Sequence, residues 1–109
     1  MALNVSKLAS QMVSAALPFL EKESGAESFA NTEFLKIAQT INGIDEQLAA
    51  GHINQQQASL LLDMQTLASR NVLLTLRGLD LLTVEDAINK ALGAIKDIVN
   101  KVLGFSLIP

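Results

Sequence analysis

The ionisable side chains of this chain are scattered, and few have the spacing that catalysis requires. His52 is the only histidine among 109 residues, and the segment Ala50–Asn54 around it reads as a turn. A general base needs an acid or a nucleophile beside it, and no serine or aspartate motif near His52 supplies one. We therefore expect His52 to be a turn residue near the carboxyl end of a helix.

Metal and nucleotide sites also lack candidates. The acidic pairs Glu23 with Glu27 and Asp45 with Glu46 lie at helix ends or are adjacent, whereas a metal site in a bundle needs ligands that point inward from facing helices. None of the six glycines stands in a phosphate-binding pattern, and the absence of cysteine removes thiolate ligands and cysteine nucleophiles. The sequence predicts no catalytic residue, no cofactor and no metal, so we expect the protein not to be an enzyme.

The most organised charge pattern is formed by Arg70 and Arg77, which lie seven residues apart on the same helix face as Asp63 and Asp80. One interpretation is a recognition stripe for an acidic partner. The other is the solvated edge of a buried helix, in which Arg77 and Asp80 pair three residues apart. The sequence alone leaves both open.

The overall composition points to a protein partner and away from nucleic acid. A net charge of −3 and scattered basic residues do not suit phosphate binding, and four Phe without Tyr or Trp give no platform for stacking bases. Charged residues make up only 17% of the chain, against about 25% in an ordinary domain. Because monomers rarely expose large apolar patches, we expect a homo-oligomer, a dimer or higher, with a further protein partner as an option.

The apolar spacing predicts a single all-α domain, because no sustained alternation or hairpin signal indicates strands. We expect a small antiparallel bundle of four helices over about 4–23, 26–50, 55–81 and 84–104. The third helix is apolar around most of its circumference, so the sequence predicts that it is the central one. Pro18 predicts a kink or a break in the first helix near Ala16–Leu17.

Capping signals predict the helix boundaries. Ser24 to Glu27 reads as a capping box, Gly51 as a helix terminator and Asn54 as the next cap, supported by Gln57. Thr83 is the predicted cap of the last helix. The stretch Leu48–Ile53 is similar to the helix-glycine-helix turns of many small bacterial helical domains, and this resemblance implies no activity.

The last helix and the chain end supply the predicted contact surface. An apolar stripe with alternating spacings of four and three runs along the last helix, and an apolar tail, 105–109, follows Gly104. We expect the tail to pack on its own domain. The alternative is that it docks on another chain. The candidate interaction residues are Ile88, Ile95, Ile98, Val102, Phe105, Leu107, Ile108, Arg70 and Arg77.

The function that the sequence favours is a non-enzymatic structural or interaction module that acts through apolar helix faces and the tail. The alternative is a protein that associates with a membrane surface or a lipid, because Lys90, Lys96 and Lys101 decorate the polar face of the last helix. A carrier of an apolar ligand in the bundle interior is a third option. The longest apolar runs are too short to span a bilayer and no signal peptide is evident, so we expect a cytoplasmic protein.

Overall fold

The computed structural model describes residues 3–20, 25–76 and 79–109, and within these residues the only regular elements are four α-helices. This result confirms the predicted all-α bundle of four helices. The helices are α1 (Val5–Leu20), α2 (Ala26–Ala49), α3 (Gln55–Leu73) and α4 (Leu81–Leu103).

Successive helices from α2 onward run antiparallel. Thr40 Oγ1 of α2 donates a hydrogen bond to Gln65 Oε1 of α3 over 3.5 Å, and both residues lie at similar sequence distances from the turn between the helices. Arg70 of α3 and Glu85 of α4 contact each other across the next connection in the same way. Short connections of this kind make sequential helices antiparallel neighbours.

The prediction that the third helix is central is wrong, because the inner helices are α1 and α2, and α2 packs extensively on both α1 and α3. α1 packs extensively on both α2 and α4, whereas α3 packs on α2 and makes only a small contact with α4. Met12, Ala16 and Leu20 of α1 are fully buried, while Leu60 and Met64 of α3 are each 59% exposed. An apolar circumference made α3 look central, but one neighbouring helix covers only one side of it.

The sequence predicts the same spacing of four and three along the second helix, and its residues are buried except for the half-buried Leu48: Ala30, Phe34, Ile37, Ile41, Ile44 and Leu48. The predicted seam of α4 is confirmed only in its first half. Val84, Ile88, Ala91 and Ile95 are buried, but the next buried residue is Val99 instead of the predicted Ile98. A straight helix with 3.6 residues per turn drifts by about 20° per heptad from a strict spacing of 3.5. Over two heptads this drift amounts to about 40°, less than the roughly 100° that separates Ile98 from Val99. The packing of α4 on its neighbours therefore decides which of the two residues is buried.

The turn between α2 and α3 matches its prediction closely. Gly51 has a φ of 75°, the left-handed conformation that favours glycine. The Asn54 side chain accepts a hydrogen bond from the backbone of Gln57, and the Gln57 side chain accepts one from the backbone of Asn54. This reciprocal pair satisfies two backbone donors that the first helical turn would otherwise leave unpaired.

The boundaries near α1 differ in part from those predicted. α1 continues through Pro18 to Leu20, so the helix has no break at Ala16–Leu17. α2 begins after Gly25, which has a φ of 87° and no side-chain cap. Ser24 of the predicted capping box lies outside the described residues.

The connection between α3 and α4 was predicted wrongly at both ends. α3 ends at Leu73, eight residues before the predicted end at 81. α4 begins at Leu81, and its cap is Asp80 instead of Thr83: the Asp80 carboxylate accepts a hydrogen bond from the Thr83 backbone over 2.8 Å. Thr83 therefore serves as the donor in the cap and not as the capping side chain.

This cap predicts different outcomes for two neighbouring substitutions. Asp80→Ala is expected to lower the free energy of unfolding by about 1 kcal/mol, because it leaves backbone donors of the first turn of α4 without an acceptor. Thr83→Ala keeps the backbone N–H, so its effect should stay within about 0.5 kcal/mol. Urea denaturation followed by circular dichroism measures both, and a larger loss for Thr83→Ala would restore Thr83 as the cap.

Candidate protein-interaction surface

The side chains that could do chemistry remain isolated in the structure. His52 is exposed, and its Nδ1 atom lies 2.8 Å from Gln47 Oε1. No group of three or more His, Cys, Asp or Glu residues within the described ranges could hold a metal ion. The arrangement around His52 is therefore a hydrogen-bonded turn.

Glu33 is a buried carboxylate that the sequence reasoning did not single out. It is only 3% exposed and forms an ion pair with Lys36 Nζ at 3.1 Å. The sequence signal was present in the spacing of three between the two charges, which suits a helical ion pair. The pair occupies a shallow hollow beside Phe29 and Val72, and nothing in it resembles an acid-base or nucleophilic site.

The tail beyond Gly104 is hydrogen-bonded to its own chain and packs on it. The Asn100 side chain donates to the Ile108 carbonyl over 2.8 Å and accepts from the Ile108 backbone N–H over 3.0 Å. Leu107 and Ile108 are each 3% exposed. Of the two options for the tail, the structure shows packing within the subunit.

The seven apolar residues among the predicted interaction residues divide into three groups. Four of them are covered by their own chain, so they need no partner to be buried: Ile88, Ile95, Leu107 and Ile108. Ile98 and Val102 are 44% and 41% exposed, and Phe105 is half-buried.

Of the two predicted arginines, the structure describes Arg70 and not Arg77. Arg70 Nη1 lies 3.2 Å from Glu85 Oε1, and the two side chains are 35% and 43% exposed. Arg77 lies outside the described residues, as does its predicted pair with Asp80. The predicted arginine stripe is therefore visible only at Arg70, where it contacts a residue of α4.

A more extensive apolar surface lies on α3. α3 buries Ala58, Leu62 and Leu73 along one side of the helix. At about 100° per residue, Leu60 and Leu67 point to roughly the opposite side. We call this surface the α3 outer face, and its apolar residues are Leu60, Leu61, Met64, Leu67 and Ala68, of which the four larger ones are 40% to 59% exposed.

The charges of α3 lie along one edge of this face. Asp63 and Arg70 are the only charged residues of α3, and both line the groove that separates α3 from α4. Arg70 is paired with Glu85, and the Asp63 carboxylate forms no ion pair with any described residue. The α3 outer face therefore has an apolar centre, one charged edge and one apolar edge.

The groove between α3 and α4 has a volume of about 430 Å³. Leu62, Ile88 and Leu107 line its buried part, and Asp63 and Arg70 line its edge. It exists because α3 and α4 make little direct contact. This opening leaves the charged edge of the α3 outer face accessible.

Comparison with known proteins gives no independent assignment, because no family model, curated protein or solved structure matches the chain. The described residues contain no helix that is both long and apolar enough to cross a membrane.

Proposed function

We propose that this chain is a non-enzymatic helical module that associates with a second copy of itself through the α3 outer face. The observation that carries the proposal is the exposure of Leu60, Met64 and Leu67 on the side of α3 that points away from the bundle. Contiguous apolar patches on a soluble protein mark interaction sites more often than isolated exposed residues do.

The composition supports the same proposal. Only 17% of the residues are charged, and α3 carries just two charges over 19 residues. A helix packed on one side against its own bundle normally has a polar outer side. Apolar side chains on that outer side lose their contact with water when a second chain covers them, which is the main driving force of protein association.

The α3 outer face takes the place of the surface that the sequence placed on α4 and the tail. The core of the subunit already uses Ile88 and Ile95 of α4 and Leu107 of the tail. The exposed large apolar residues of α4 form two separate pairs, Leu81 with Leu82 at its start and Ile98 with Val102 near its end. Membrane association through α4 therefore ranks below self-association through α3, because α4 has no single continuous apolar side to enter a lipid interface.

One pair of variants tests this proposal. Met64→Lys should raise the dissociation constant of the dimer at least about tenfold, because a lysine would be buried in the centre of the contact. The matched control is Ile98→Lys, a similarly exposed apolar residue on α4, which should leave the dissociation constant unchanged. Sedimentation equilibrium over a range of protein concentrations measures both.

The outcomes separate the possible surfaces. A wild-type chain that remains monomeric at all concentrations would overturn the proposal. Weaker association of Ile98→Lys, with Met64→Lys unaffected, would move the contact to α4. Pelleting of the wild-type chain with anionic lipid vesicles, in the absence of any self-association, would favour the membrane alternative.

A further inference from the structure

The α3 outer face has the residue spacing of a helix-pairing seam. Leu60, Met64, Leu67 and Asn71 follow one another at intervals of four, three and four, and all four are exposed. In a pair of helices these intervals place one residue after another at the line of contact. The seam is short, about one and a half heptads, so it can support only a small contact.

We propose that two copies of the chain pair their α3 helices antiparallel across a two-fold axis that passes between Gln65 and Thr66. This inference rests on the proposed self-association and specifies its geometry. Met64 then lies opposite Leu67 of the second copy, and Leu60 lies opposite Asn71. The two-fold symmetry makes each of these contacts occur twice.

The charges on the edge of the face determine the direction of pairing. In an antiparallel pair, each edge of one helix meets the same edge of the other helix. The charged edge then brings Asp63 beside Arg70 of the second copy, again twice, at the positions that pair charges across a helix seam. On the opposite edge, Leu61 meets Ala68 of the second copy.

A parallel pair does not have this complementarity. Parallel helices bring the charged edge of one copy against the apolar edge of the other, so Asp63 and Arg70 would face Leu61 and Ala68. Charges that face apolar side chains lose solvation without gaining a partner. The pattern therefore favours the antiparallel arrangement and selects a second copy of this chain as the partner.

Arg70 can contact Asp63 of the second copy while it remains paired with Glu85 of its own chain. Both side chains are partly exposed, and a guanidinium has five N–H donors, enough for two carboxylates at once. Asp63 has no competing ion pair among the described residues. One helix face covers less than the roughly 800 Å² per partner of stable complexes, so we expect weak association that depends on protein concentration.

Charge-swap variants test the register. Asp63→Lys places lysine beside Arg70 of the second copy and should raise the dissociation constant roughly tenfold at low salt. Arg70→Glu combined with Glu85→Arg preserves a pair of opposite charges within the chain but places glutamate beside Asp63 of the second copy. That double variant should weaken the dimer by a similar factor.

Combining all three substitutions restores opposite charges at both places. The triple variant should therefore return to within about threefold of the wild-type dissociation constant. Thermal unfolding of each variant, followed by circular dichroism, checks that the subunit is folded. Salt provides a second measurement: the wild-type dimer should weaken as ionic strength rises, because these pairs lie at an exposed edge.

The results distinguish the register from the proposed function itself. If the wild-type chain dimerises and Met64→Lys disrupts the dimer, but Asp63→Lys has no effect, the α3 contact stands and the antiparallel register is overturned. The same conclusion follows if the triple variant fails to recover while remaining folded. If the wild-type chain does not dimerise, both the proposed function and the register are overturned.

Discussion

Met12→Ala is expected to lower the free energy of unfolding by about 2 to 5 kcal/mol. Met12 is completely buried in α1, the helix that packs on both α2 and α4. Removing its side chain loses apolar burial and leaves a cavity that rigid neighbouring helices fill only in part. Urea denaturation at low micromolar protein concentration measures the loss.

Met64→Ala is the matched control, because it removes the same atoms from a residue that is 59% exposed on α3. At a concentration where the chain is monomeric, this substitution should change the free energy of unfolding by less than about 0.5 kcal/mol. Similar losses for Met12→Ala and Met64→Ala would contradict the inner position of α1. A larger loss of stability for Met64→Ala than for Met12→Ala would indicate that α3 is the central helix.

The second large effect concerns the tail. Leu107→Ala and Ile108→Ala should each lower the free energy of unfolding by about 2 kcal/mol or more, because both side chains are 3% exposed within their own subunit. The exposed neighbour Pro109 provides the control, and Pro109→Ala should have an effect below about 0.5 kcal/mol. Denaturation monitored by circular dichroism measures all three variants.

The same variants show whether the tail belongs to its own chain. Because the Asn100 side chain holds Ile108 by two hydrogen bonds within one subunit, the dissociation constant of the dimer should not change in Leu107→Ala. Loss of self-association without loss of stability would contradict this arrangement and would place the tail between two chains.

Two features of the fold that depend on local sequence were predicted well, although the equally local cap of α4 was not. The turn depends on the conformational freedom of Gly51, and the reciprocal cap joins Asn54 and Gln57, which are three residues apart. Both features can therefore be read from the local sequence. The buried seam of α2 was equally visible, because Phe34, Ile37 and Ile41 repeat at helical spacing and are all fully buried. Periodicity predicts which side of an isolated helix is apolar.

The position of α3 could not be predicted in this way. Leu62 and Leu60 are chemically identical, yet Leu62 is 3% exposed and Leu60 is 59% exposed. The difference arises from which helix lies next to α3, and hydrophobicity does not encode that choice. A helix that is apolar on both sides can face its own bundle on one side and a second chain on the other.

The end of the chain shows a second limit. The sequence marked 105–109 as apolar and in need of cover, but it did not indicate Asn100 as the residue that fixes it. Asn100 lies eight residues before Ile108, and the two hydrogen bonds form only after the left-handed Gly104, with a φ of 82°, turns the chain back. A contact over such a turn has no periodic signature.

The sequence indicated the type of candidate surface, an apolar helix face, but not the helix that carries it. The low charge content directed attention to apolar helix faces, but periodicity placed the candidate residues on α4, where Ile88 and Ile95 belong to the core. Asp63 and Arg70 were recognised as an ordered charge pattern on α3. Their proposed role depends on exposed neighbours that only the packing of α3 identifies.

Self-association through the α3 outer face is tested by the molar mass of the wild-type chain and of Met64→Lys, measured by sedimentation equilibrium from low micromolar to near-millimolar concentration. We expect the wild-type mass to rise from the monomer value of 11.6 kDa towards twice that value, while Met64→Lys remains close to the monomer. A wild-type mass that stays at the monomer value throughout, or a Met64→Lys variant that associates as the wild type does, would contradict self-association through this face.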